Sequence, residues 1–237
     1  MHDDVTFAGF SVEAMRFFAQ LKRNNNRPWF ERHRDDYQRL VLEPARSFVV
    51  ELGRALNRMQ PGLVTDPGPG GSIFRIYRDT RFSSDKTPYK THLGVYFWQA
   101  GGKKMERPGF YFELDGTGMG LYAGWYIFSP PVIRAYREAV ADETTGRELA
   151  AAVGRVKRSG LGVGGQRYKR VPRGFDVDEE RAELLKHGGL YTEQECGRPR
   201  QLCSRALVGY CVQKWRAAMP LYRWLVRLAA KGSGGEA

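Results

Sequence analysis

The sequence predicts an α+β fold. A single domain, residues 1–231, has an antiparallel central sheet packed by long N-terminal and C-terminal helices, and 232–237 form a disordered tail. Three observations carry this expectation. Apolar residues recur every three to four positions near both ends of the chain, β-branched and aromatic runs with period-two alternation fill its middle, and turn-forming pairs separate those runs. With 237 residues, 42% of them hydrophobic and 13% aromatic, the chain can build a sizeable core and is not a disordered protein.

The elements follow in order. Ser11 stands before Met15, Phe17, Phe18 and Leu21 as the N-cap of a short helix, which Asn24-Asn25-Asn26 ends. Asn26 caps a second helix with Pro28 in its first turn, and its apolar stripe runs from Trp29 through Phe48 and Leu56 to Met59. Pro44 deletes the hydrogen bond to the Leu40 carbonyl, so this long helix should kink or break near Val41. After Pro61-Gly62 and the turn-rich stretch Asp66 to Gly71, strands are predicted near 72–77, 91–98, 109–114 and 119–126. The connection from Arg78 to Lys90 is long for a hairpin, whereas Gly101-Gly102 and Asp115-Gly116 read as ordinary turns. Pro130-Pro131 opens a helix to about Asp142, and a further apolar pattern at Leu149, Ala152 and Val153 runs into Gly154 and a glycine-rich basic loop, 154–165. A short helix from Glu179 to Lys186, a cysteine-containing segment, and a closing helix from about Arg205 to Ala229, interrupted at Pro220, complete the chain.

Composition bounds the function. A net charge of +12 and a pI near 9.8 favour anionic partners, without separating nucleic acid from a phosphate-bearing or carboxylated small molecule. No stretch approaches the roughly 20 apolar residues that span a bilayer, and Met1-His2-Asp3-Asp4 lacks a secretory pattern, so the expectation is a cytoplasmic protein without a membrane partner. Cys196, Cys203 and Cys211 fit neither a disulfide framework nor a paired zinc site, which leaves reduced, buried thiols. His33, His92 and His187 stand singly, with no HExxH, so neither a metal nor a cofactor is indicated.

The stretch Gly71-Ser72-Ile73-Phe74-Arg75-Ile76-Tyr77-Arg78-Asp79-Thr80-Arg81-Phe82-Ser83, followed by Asp85-Lys86-Thr87-Pro88-Tyr89-Lys90-Thr91, resembles the family called domain of unknown function 2461. Asn25-Asn26-Arg27-Pro28-Trp29-Phe30, Pro108-Gly109-Phe110-Tyr111 and Val171-Pro172-Arg173-Gly174-Phe175 support the likeness, which extends over most of residues 10–228. It implies no particular activity, substrate or catalytic residue.

The strongest chemical signal lies in the same stretch. Arg75, Arg78, Arg81, Lys86 and Lys90 set five positive charges against Asp79 and Asp85. On a strand, Arg75 and Tyr77 share one face and Phe74 and Ile76 the other, and the same alternation groups His92 with Tyr96, Tyr111 with Glu113, and Tyr122 with Tyr126. A face offering Arg75, Tyr77, His92, Tyr96, Tyr111, Glu113 and Tyr122 suits an anionic or sugar-like ligand, since guanidinium gives paired donors and phenols give amphipathic walls. A solvated or helix-covered sheet face gives the same pattern, and Asp79 and Asp85 serve equally well to pin the basic side chains of the loop. Glu113 beside His92 would form an acid/base pair across neighbouring strands.

A second basic region, Val153 to Arg173, contains Arg155, Lys157, Arg158, Arg167, Lys169, Arg170 and Arg173 with no acidic residue. It lacks a phosphate-loop motif, and reads as solvated charge or a flexible arm for phosphate backbones. Three functions stay open, in this order: binding of, or action on, an anionic small molecule through the Arg/Lys segment; a nucleic-acid-binding module; and a structural or protein-interaction scaffold held by its own Arg–Asp network.

Overall fold

The computed structural model describes residues 6–232. Helix α1 (Val12–Arg23) begins where expected, with the Ser11 side chain accepting from the Ala14 N–H at 3.2 Å, and buries Ala14, Met15, Phe17, Phe18 and Leu21. Asn26 caps α2 (Arg27–Arg32) by accepting from Trp29 N–H at 3.0 Å. The long helix expected to follow is divided. A four-residue turn, α3 (Arg34–Tyr37), leads into a π-helical turn, Gln38–Leu42, and then into α4 (Glu43–Met59), with Pro44 in the first turn of α4. Proline has no N–H to offer the preceding turn, and the chain meets this by widening: Glu43 N–H bonds to the Gln38 carbonyl five residues back.

The strands are β1 (Leu63–Val64), β2 (His92–Gln99), β3 (Gly109–Asp115), β4 (Met119–Trp125), β5 (Gly162–Gln166) and β6 (His187–Gly197), forming one antiparallel sheet in the order β1-β2-β3-β4-β6-β5. The turn before β4 is an Asx turn, with the Asp115 carboxylate accepting from Thr117 and Gly118 N–H. Three expectations are corrected. Residues 72–77 do not form a strand: bends at Ser72 and Ile76 leave only the isolated bridges Ile73–Val95 and Tyr77–Tyr89, and the partner slips by two residues between them, which breaks the ladder. The stretch 154–165 is not a loop, because helix α6 continues through Gly154 to Arg158 and β5 begins at Gly162. The cysteine-containing segment holds β6, the longest strand, which was not foreseen.

The remaining helices are α5 (Pro130–Ala141), α6 (Glu143–Arg158), α7 (Glu179–Leu184), α8 (Ala206–Arg216) and α9 (Met219–Gly232), with Pro220 placing the break between α8 and α9. Gly232, expected to begin a disordered tail, is the last residue of α9, and 233–237 lie outside the described residues.

The chain divides into two compact units, and β2, β3, β4 and β6 each supply residues to both. One comprises the residues through Phe97, Tyr111–Leu121 and Glu195–Gln213. Its centre is aromatic: Phe7, Phe10, Phe48 and Phe112 meet at ring-centroid distances of 4.8–5.7 Å. The other comprises Trp98–Phe110, Tyr122–Gln194 and the residues from Lys214 on. There Phe110 stacks on Tyr222 at 4.2 Å, the buried Tyr136 hydroxyl donates to the Leu184 carbonyl, and the Trp224 indole donates to the Thr145 carbonyl. Arg181, almost fully buried, is bonded to Asp178 and paired with Glu143, so its charge does not stand alone in the interior. Among the described residues no helix is long and apolar enough to cross a membrane, and no cluster of three potential metal ligands occurs.

Candidate functional site

The segment 72–78 and the approach to β2 bring part of the basic stretch together with polar side chains of β2 and β3. Main-chain bonds fix the approach: Phe74 N–H donates to the Gly94 carbonyl at 3.0 Å, and Lys90 N–H to the Ile76 carbonyl at 2.7 Å. Lys90 is half-buried. Its ammonium donates to the Arg75 carbonyl at 3.0 Å and lies 5.1 Å from the centroid of the Phe74 ring. Burial, and secondarily the Arg75 guanidinium, hold its pKa below the ordinary lysine value. Among the described residues neither Lys90 nor Arg75 forms an ion pair with a carboxylate.

The Phe74 ring also meets the edge of Tyr111, at 5.9 Å. Tyr111 donates to Glu113 Oε2 at 2.9 Å, and His92 Nε2 stands 3.8 Å from the same oxygen, inside ion-pair range but beyond a hydrogen bond. His92 and Glu113 are each about one-third exposed. The phenol can lie across β2 because position 94 is glycine: a Cβ there would stand 2.6 Å from the Tyr111 hydroxyl.

The other cations are occupied within the loop. Arg78 donates to Asp85 at 2.5 Å and to the Thr87 hydroxyl, Arg81 forms a paired contact with Asp79, and Lys86 donates to the Thr80 carbonyl at 2.9 Å. Bonding to Arg81 lowers the Asp79 pKa to about 2. Asp85 is lowered to about 2 first by the Thr87 N–H and then by Arg78.

A profile of the family described as conserved hypothetical protein (DUF2461) matches residues 13–224. The chain belongs to the DUF2461 family. No curated protein and no solved structure matches it.

In this DUF2461 chain the ten residues proposed from sequence divide into groups. Lys90, His92, Tyr111 and Glu113 are linked through the Phe74 ring, and Arg75 joins them through its carbonyl, which accepts from Lys90. Arg78, Arg81 and Lys86 are engaged on the loop. Tyr77 turns to Phe30 and Tyr89, and Tyr96 is buried at 4% exposure, its hydroxyl pKa raised by that burial. The expected open polar face is therefore narrower than strict alternation implies, because the Phe74 ring, expected on the opposite face, lies against Tyr96 and Tyr111. One feature of the DUF2461 chain escaped sequence reasoning: an open groove of about 970 Å³ along α4, lined by Arg46, Arg54, Arg58 and Arg205 together with Glu43 and Glu51. Its arginines are dispersed over residues 46–205 and form no run.

Proposed function

We propose that this protein binds an anionic small molecule, phosphate-bearing or carboxylated, at the face formed by Arg75 and Lys90, with His92, Tyr111 and Glu113 as its polar wall. One observation carries the reading: a half-buried ammonium that feels the Arg75 charge, with neither cation ion-paired to a carboxylate among the described residues and only the more distant charge of Asp79, itself bonded to Arg81, acting on Arg75. The half-buried Lys90 ammonium and the exposed Arg75 guanidinium repel, and an anion between them removes that cost. The Phe74 and Tyr111 rings supply the apolar wall that such ligand sites carry. The loop carboxylates Asp79 and Asp85 set Arg78 and Arg81 in place and leave the neighbouring pair for the ligand.

The test is thermal unfolding of the intact protein in inorganic phosphate, sulfate and citrate against chloride at matched ionic strength. An anion at one hundred times its Kd stabilises by about 2.7 kcal/mol, a shift of roughly 5–10 °C for a chain of this size. Lys90→Met and Arg75→Ala should each abolish the shift in a folded protein. A shift that persists in both variants but disappears in Arg54→Ala assigns the anion to the α4 groove and overturns the reading.

A further inference from the structure

Independently of that site, we infer that the surface around Tyr126, Arg167 and Tyr168 binds single-stranded nucleic acid. The patch lies within the second unit. Just beyond β4, Tyr126 is 52% exposed and its ring meets that of Tyr191, on β6, at 5.7 Å. The Arg167 guanidinium covers Tyr126 at 5.4 Å, and Arg137, from α5, covers the 43%-exposed ring of Tyr168 at 4.9 Å. The backbone N–H groups of Arg167 and Tyr168 both donate to the Lys186 carbonyl, which anchors the start of this segment to the second unit.

The cations here differ from those of the 78–86 loop. Among the described residues neither Arg137 nor Arg167 pairs with a carboxylate; rings hold them, and the Arg137 Nε–H is buried with no acceptor. A guanidinium held by stacking keeps its charge and outer N–H groups for a phosphate. The chain then continues through the exposed Lys169, Arg170 and Arg173 with no acidic residue from Arg167 to Arg173. Two exposed phenols, each with a guanidinium at its ring, beside a short basic track supply the two components that single strands require, base stacking and backbone neutralisation. A duplex hides its base faces, an acidic peptide has no use for the rings, and a membrane would need more apolar protrusion than Ile127 and Val171 provide. Strand β5 leaves room for the platform: a Cβ at Gly164 would stand 2.6 Å from the Tyr191 ring.

The experiment is fluorescence anisotropy of a labelled twelve-nucleotide oligo-dT with the intact protein at 50 mM salt. A twelve-base-pair duplex, polyglutamate and anionic phospholipid vesicles serve as competitors. Tyr126→Ala and Tyr168→Ala should each weaken oligo-dT binding by about five- to one-hundred-fold, the equivalent of one lost base stack, while Tyr126→Phe retains it. Lys169→Gln and Arg170→Gln should each reduce the salt slope by about 0.7. The variants alter exposed side chains, so melting temperatures should stay at the parent value. The inference is overturned if oligo-dT does not bind, if the tyrosine variants bind it as the parent does, or if duplex, polyglutamate or vesicles compete equally well.

Discussion

Asn25 holds Tyr89 by both of that residue's backbone groups: its amide donates to the Tyr89 carbonyl at 2.8 Å, and its carbonyl oxygen accepts from the Tyr89 N–H at 3.1 Å. A side-chain amide has the donor and acceptor of a peptide group, so one residue between α1 and α2 does the work of a neighbouring strand. Phe30 stacks on the Tyr89 ring at 4.2 Å and reinforces the attachment. Lys90 follows directly, so the position of the proposed anion site depends on this contact. Asn25→Ala should cost about 1–3 kcal/mol, the net contribution of two hydrogen bonds, measured by denaturant unfolding. Asn25→Asp, which retains only the acceptor, should not restore it.

Gly94→Ala tests the packing of Tyr111 across β2. The added methyl group meets the phenol hydroxyl, displaces Tyr111 from Glu113, and should destabilise the protein by about 1–3 kcal/mol. Removing the hydroxyl as well, in Gly94→Ala/Tyr111→Phe, should return part of that loss. A double-mutant cycle with no coupling would show that the clash is relieved elsewhere.

The loop carboxylates give a pH signature. Asp79 and Asp85 have pKa values lowered to about 2 from an ordinary 3.8, so their native contacts contribute stability above about pH 4 that is lost as the pH falls toward 2. Carboxyl carbon resonances of the two residues, followed by NMR, should titrate below the ordinary aspartate value of 3.8. Protease cleavage within 79–87 should rise over the same acid window. Midpoints near 3.8 would show that the ion pairs do not persist in solution.

The three cysteines should react in sequence. Cys203 is exposed, Cys196 half-buried and Cys211 fully buried with its thiol pKa raised by burial, so an alkylating reagent at pH 8 should label Cys203 first and Cys211 only on unfolding. Peptide mass spectrometry at timed intervals reads the order. The uniform burial expected from sequence does not hold, because Cys203 lies in the short 3₁₀ turn after β6 and not in the core.

What was legible in the sequence were features written in neighbouring residues. Ser11, Asn26, Pro44, the Asp115 turn and Pro220 each act on hydrogen bonds within a few positions, and the structure places each beside the boundary it announced. Strand β5 was hidden because Gly-Val-Gly-Gly-Gln has the composition of a loop, and it becomes a strand only through pairing with β6 and the ring of Tyr191. For the candidate site, alternation grouped Tyr111 with Glu113 and His92 with the same face. It could not show that Phe74, expected on the opposite face, would bring its ring against Tyr96, which is buried, since that depends on tertiary packing. The loop ion pairs were visible as an alternative from the Arg/Asp composition, but which arginine was held depended on a bend that brings Asp85 back to Arg78.

The wide turn at Gln38–Leu42 sets a phase as well as accommodating a proline. On one side of it Tyr37 packs against Phe17 and Phe30, and on the other α4 presents Phe48 and Leu52 to the interior. Each α-helical residue advances the helix by about 100°, so shortening the chain here by one residue would restore regular pitch while turning one side away from its contacts. Local regularity and tertiary alignment thus demand different chain lengths at this point, and the native length is the one that favours alignment.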